Sequence, residues 1–148
     1  MIKNSMQKLY VLCGSPASGK TTLSAQLAEQ YNAIVHSYDD LPMANTRQSL
    51  DGSVKKVWIE NMKSDLMSGH SVVCDGMNLT SKDRIEMLNS FSSADCEKVL
   101  LVLRPELEVC LQRNAQRDAK LPNFVVEQAY QMYEHPTVDE LWDAIIFI

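Results

Sequence analysis

The stretch GSPASGKTT, residues 14–22, sets glycines, a lysine and two hydroxyls in the order G-x-x-x-x-G-K-[ST]. Chemistry on phosphate groups needs this arrangement. Torsions open to Gly14 and Gly19 turn successive backbone N–H groups toward phosphate oxygens, and the following helix points its positive end at the same anion. Lys20 then reaches the β- and γ-phosphates, and the Thr21 hydroxyl is a magnesium ligand. The candidate nucleotide-binding set is Gly14, Ser15, Pro16, Ala17, Ser18, Gly19, Lys20, Thr21 and Thr22, with ATP and Mg2+ as the implied cofactors.

Three further constellations follow apolar runs. Asp39 and Asp40 stand side by side in HSYDDLP, where like charges repel and call for a metal, a cation or a substrate proton. One carboxylate of such a pair can accept the proton of an attacking hydroxyl, as in phosphoryl transfer, while the other orients it or holds a metal-bound water. An Asx turn or a helix cap before Pro42 is the structural alternative. Asp75 opens DGMNLTSKDR, with Asn78 and Arg84 as hydrogen-bond donors beside it. Arg113 and Arg117, four apart in CLQRNAQR, read as sharing one helix face. Their blander role is to complement a helix C-terminus; their sharper one is a lid that places guanidiniums on a transferring phosphoryl group.

The elements that must position these residues are legible. Five runs of strand length stand out: KLYVLC (8–13), AIVHS (33–37), SVVCD (71–75), KVLLVL (98–103) and AIIFI (144–148). They do not alternate with polar residues, as expected of strands buried on both faces. Helical spacing fills the gaps, through Leu23, Leu27 and Tyr31, then Val54, Val57, Trp58, Met62 and Leu66, with Gly69 as a stop. TSKD (80–83) resembles a capping box ahead of Ile85, Leu88 and Phe91. Pro105 and Pro122 start two more helices. The alternation predicts one α/β domain over residues 1–148, in three layers, with its site at the carboxyl ends of the strands. The last residues are expected in the core.

The bulk numbers exclude other classes. A net charge of −5 and a pI near 5.1 do not suit a protein that tracks a long nucleic-acid backbone, yet leave room for gripping one strand end. No 18-residue apolar run suggests a membrane span. The N-terminus lacks the apolar core of a signal peptide, and four cysteines without CxxC spacing suggest a reducing, cytoplasmic setting.

Together the motifs resemble P-loop kinases that phosphorylate a hydroxyl on a nucleic acid. The chain is similar to the phage-type polynucleotide 5′-hydroxyl kinases in its phosphate loop, in the Asp39–Asp40 pair and in the D-x-x-N turn at Asp75. It also matches their R-N-x-x-R lid at Arg113, Asn114 and Arg117, with Pro122 shortly after. That resemblance implies a P-loop NTPase domain with a five-stranded parallel sheet of order 2-3-1-4-5 and an arginine-bearing lid. It implies Lys20, Asp39, Arg113 and Arg117 as catalytic residues, and Asp40, Asp75 and Asn78 on the acceptor side. Where the family carries an acceptor-binding arginine this chain has Pro42, and the nearest arginine is Arg47. LCGSPASGKTT, SYDDLP and CLQRNAQR also resemble the seryl-tRNA kinases. The reaction implied is transfer of the γ-phosphoryl of ATP to a hydroxyl, foremost a polynucleotide 5′ end. An aminoacyl-tRNA or small-metabolite acceptor is the alternative, and a nucleotide-dependent switch is the non-enzyme one.

Overall fold

A computed structural model describes residues 6–44, 46 and 50–148. Five strands, β1 (Lys8–Cys13), β2 (Ile34–Ser37), β3 (Val72–Asp75), β4 (Glu97–Val102) and β5 (Ala144–Phe147), form one parallel sheet. Its order is β2-β3-β1-β4-β5. Five helices connect them: α1 (Lys20–Tyr31), α2 (Ser53–Met67), α3 (Ser81–Ser90), α4 (Leu107–Ala115) and α5 (Asn123–Met132). Reversal of strand order beside β1 opens the crevice in which such sheets bind ligands.

The sheet separates two apolar layers. On one face Leu9, Val11, Val72, Cys74, Leu100 and Val102 pack against Trp58, Met62 and Leu66 of α2, and Met87 of α3. On the other, Tyr10, Leu12, Val73, Val99 and Leu101 pack against Leu27 and Leu23 of α1. All four cysteines are free thiols in the interior.

Three expectations are corrected. The chain's last residues are not core: Ile146, Phe147 and Ile148 are exposed, because β5 pairs only with β4 and forms the sheet edge. Val57 and Ile85 also face outward. The inward face of α3 is instead Arg84 and Met87, with Phe91 just past its end.

Arg84 is therefore not a donor on the acceptor side. Its side chain is fully buried against an equally buried Glu140, with Nε–Oε1 at 2.7 Å. Its remaining donors go to the carbonyls of Asn78, Leu79 and Glu134, the Cys13 thiol and Glu140 Oε2. A buried charge is tolerated when paired and fully hydrogen-bonded. This network ties the end of β1, the turn after β3 and the stretch before β5 into one frame. At the start of α3, Thr80 caps the helix by accepting from the Asp83 N–H at 3.1 Å.

Candidate active site

The loop between β1 and α1 is built for an anion. Gly19 has φ +105°, a torsion natural to glycine, whereas Ala17 sits at φ 62°, where a side chain costs roughly 1–2 kcal/mol. Gly14 matters for room rather than torsion. A Cβ there would lie 2.4 Å from Ser18 Oγ and 3.0 Å from the Leu103 carbonyl oxygen. Ser18 Oγ is buried without a partner among the described residues. The first turn of α1 holds no acidic residue, so its positive end is free to meet an anion. A glycine cradle, an orphaned hydroxyl and an uncompensated helix end together fit a phosphate group.

Lys20 folds back over this loop, donating to the carbonyls of Gly14 (2.7 Å) and Ser15 (2.9 Å). Burial pushes its ammonium pKa down. The charges of Asp75 and, more weakly, Asp39 oppose that shift, while Arg117 adds to it. Asp75, Asp39 and one predicted arginine thus act electrostatically on a single lysine, although they come from three separate parts of the chain.

Asp75 ends β3 and pairs in register with Ser37, the last residue of β2. The Ser37 hydroxyl donates to Asp75 Oδ2 at 2.8 Å. The chain then enters a 3-10 turn, Tyr38–Asp40, which leaves Asp39 and Asp40 exposed. Trp58 supports both strand ends from beneath. Its indole donates to the His36 carbonyl at 3.0 Å, and its ring meets Tyr38 edge-on at 5.3 Å. A Cβ at Gly76 would come within 2.7 Å of the same ring.

Asn78 is placed differently from a substrate contact. It is buried at φ 46°, and its Nδ2 donates to the Leu12 carbonyl at 2.8 Å, bracing the turn against β1. The Gly14 N–H in turn donates to the Met77 carbonyl at 2.9 Å. Arg47 lies outside the described residues.

Arg113 and Arg117 do not share a helix face, since α4 ends at Ala115. The helix gives way because Asn114 turns its amide onto Leu121. Nδ2 donates to the Leu121 carbonyl at 2.7 Å and Oδ1 accepts from the Leu121 N–H at 3.1 Å. Residues 116–120 become a loop pinned at its base. Arg113 nonetheless borders the phosphate loop: its Nη1 would be 3.4 Å from a Cβ at Gly19. Both arginines are exposed.

Thr21 is exposed in the first turn of α1, directly after the phosphate-loop lysine. Among the described residues no three His, Cys, Asp or Glu side chains cluster around a metal position. Magnesium needs no such cage when it is held through phosphate oxygens, one hydroxyl and waters, and the donors here are hard oxygens of the right kind.

Sequence reasoning missed Ser37, Trp58 and Glu140. Of these only Ser37 carried a signal, as the residue that closes an apolar run two positions before a carboxylate.

Known proteins share this architecture. Over 91% of its length the chain is 26% identical to L-seryl-tRNA(Sec) kinase of Methanococcus maripaludis, covering 56% of that protein. It spans little more than half the length of the curated relatives it matches. Among solved structures it resembles a chain of the Pnkp1/Rnl/Hen1 RNA repair complex, with a TM-score of 0.76 and 18% identity over 88% of this chain and 45% of that one. It also resembles Chaetomium thermophilum Kti12 in complex with ADP-AlF3, with a TM-score of 0.71 and 20% identity over 95% of this chain and 88% of that one. The fold is that of the P-loop kinases, and the curated relatives include a seryl-tRNA(Sec) kinase, one of the two kinds of protein that the motifs resemble. Residues 7–148 match the family described as chromatin associated protein KTI12, and the chain belongs to that family.

Proposed function

We propose that the chain is a phosphotransferase that moves the γ-phosphoryl of ATP to a hydroxyl carried on a nucleic acid, foremost a polynucleotide 5′ end. One observation carries this reading: Asp75, Asp39 and Arg117 all act electrostatically on Lys20, while Arg113 borders the loop that Lys20 closes. Asp39, exposed at the end of β2 and acting on the phosphate lysine, stands where a general base for a hydroxyl acceptor is needed.

The roles follow from the chemistry. Loop amides and Lys20 hold the β- and γ-phosphates. Thr21 would hold Mg2+, which neutralises charge between them when bound. Asp39 accepts the proton of the acceptor hydroxyl as its oxygen bonds the γ-phosphorus and the bond to the bridging oxygen of ADP breaks. Asp75 and Asp40 orient the acceptor, and Arg113 and Arg117 form a lid that stabilises charge on the group in flight.

Identity to the seryl-tRNA(Sec) kinase favours a second reading, in which the acceptor is a seryl group esterified to tRNA. Both are tested by incubating the protein with γ-labelled ATP and Mg2+ and offering 5′-hydroxyl RNA, 5′-hydroxyl DNA and seryl-tRNA separately. Label on an oligonucleotide end supports the first reading, and label on seryl-tRNA alone supports the second. ATP hydrolysis that none of these acceptors diverts would replace both with a nucleotide-dependent switch.

A further inference from the structure

Ser37 occupies a junction. It is the last residue of β2, so its backbone leads directly into the turn that carries Asp39. Its hydroxyl reaches sideways to Asp75 on the neighbouring strand at 2.8 Å. One residue thus joins the two carboxylates that act on Lys20, one through the chain and one through a hydrogen bond.

An aspartate side chain at a strand end has more than one staggered χ1 rotamer open to it, and its terminal torsion is broad. A hydrogen bond to an ionised carboxylate is charge-assisted and stronger than a neutral one. Here it engages Oδ2 and leaves Oδ1 to accept from another group. The frame beneath is stiff. Ser37 and Asp75 are in register, and Trp58 bonds the His36 carbonyl while its ring closes off Gly76. The Ser37 hydroxyl is what sets the carboxylate on this frame.

We propose that Ser37 is a positioning residue for phosphoryl transfer, holding the Asp75 side chain in one rotamer beside the phosphate loop; the role in transfer rests on the reading given under Proposed function. A displacement on the order of 1 Å at a reacting centre can lower a rate by about 10²-fold, and partners that orient a functional ligand are worth about 10–100-fold.

The test compares the wild type with Ser37→Ala, Ser37→Thr, Asp75→Asn and the Ser37→Ala/Asp75→Asn double variant. Label transfer to 5′-hydroxyl RNA and DNA and release of phosphate to water are both read. Ser37→Ala is expected to lower turnover about 10–100-fold while leaving the KM for ATP within about twofold. Ser37→Thr, which keeps the hydroxyl, restores most of the rate, and the double variant is no slower than Asp75→Asn. In parallel, NMR three-bond couplings of Asp75 report its side-chain rotamer, expected to be single in the wild type and averaged in Ser37→Ala. Wild-type turnover in Ser37→Ala, an unchanged Asp75 rotamer, or losses that multiply in the double variant would each overturn the proposal. If the wild type labels no oligonucleotide, the acceptor reading fails, and the rotamer and hydrolysis data still decide the role of Ser37.

Discussion

Arg84 and Glu140 form an ion pair in which neither side chain has any contact with solvent, 56 residues apart in sequence and 2.7 Å apart in space. Glu140 Oε1 also accepts from the Trp142 indole at 3.1 Å, and Oε2 accepts from the Ser81 hydroxyl at 3.2 Å. Removing one partner leaves an uncompensated buried charge. Glu140→Ala should therefore lose about 3–5 kcal/mol in denaturant unfolding, and the Arg84→Met/Glu140→Leu double variant should recover much of it. A Glu140→Ala variant as stable as the wild type would show that the pair is not a tie.

The same pair predicts an acid limit. Burial alone would raise the Glu140 pKa, but hydrogen bonds from Arg84 and Trp142 outweigh it and hold the carboxyl below its ordinary 4.5. A lowered folded pKa contributes stability that is present above the unfolded value and lost as pH falls through the folded one. The stability difference between wild type and Glu140→Gln should hold constant above pH 4.5 and shrink below it. Melting curves of the two proteins across pH 7 to 3 check this, and a difference that grows in acid would contradict it.

Gly76 lies against the Trp58 ring with no space for a methyl group. Gly76→Ala should destabilise the fold by about 1–3 kcal/mol, because a hydrogen-bonded indole cannot shift without losing its partner. Its effect on turnover should exceed its effect on ATP affinity, since the displaced turn carries Asp75. Calorimetric ATP binding beside a transfer assay separates the two.

Asp39→Asn removes the carboxylate proposed as the proton acceptor while keeping the size of the side chain. Turnover should fall about 10²–10⁴-fold with ATP binding close to normal. Normal turnover would remove Asp39 from the role of base.

An acceptor gripped only at its end neutralises two or three phosphates. Oligonucleotide affinity should then fall with salt at a log–log slope of about −2. A slope near −8 would reveal a far larger basic surface than a chain of net charge −5 suggests.

Much of this was legible before any coordinates. The runs at 8–13, 33–37, 71–75, 98–103 and 144–148 overlie the five strands to within a residue or two at each end, and the central ones are continuous because parallel strands covered on both faces leave unbroken apolar runs. The order of those strands came from the family resemblance and not from periodicity. The phosphate loop was legible because its spacing is dictated by the anion. What escaped was set by contacts distant in sequence. Arg84 reads as a hydrogen-bond donor beside Asp75 until Glu140 is brought to it. Asn114 reads as part of a helical lid until its amide finds Leu121 and ends the helix. The apolar end of β5 reads as core unless one knows that, among the described residues, β5 is the edge of the sheet.

The two tryptophans divide the molecule between them. Trp58 is bonded to the strand that leads to Asp39 and touches Tyr38, whereas Trp142 is bonded to the carboxylate that neutralises Arg84. Their fluorescence gives two intrinsic optical probes without any label. With Trp142 replaced by phenylalanine, the remaining emission follows the Tyr38–Asp40 turn as ligands are added. With Trp58 replaced, it follows the dissolution of the buried charge pair during unfolding. Ligand binding and unfolding can thus be watched separately, at two reporters placed by the fold itself.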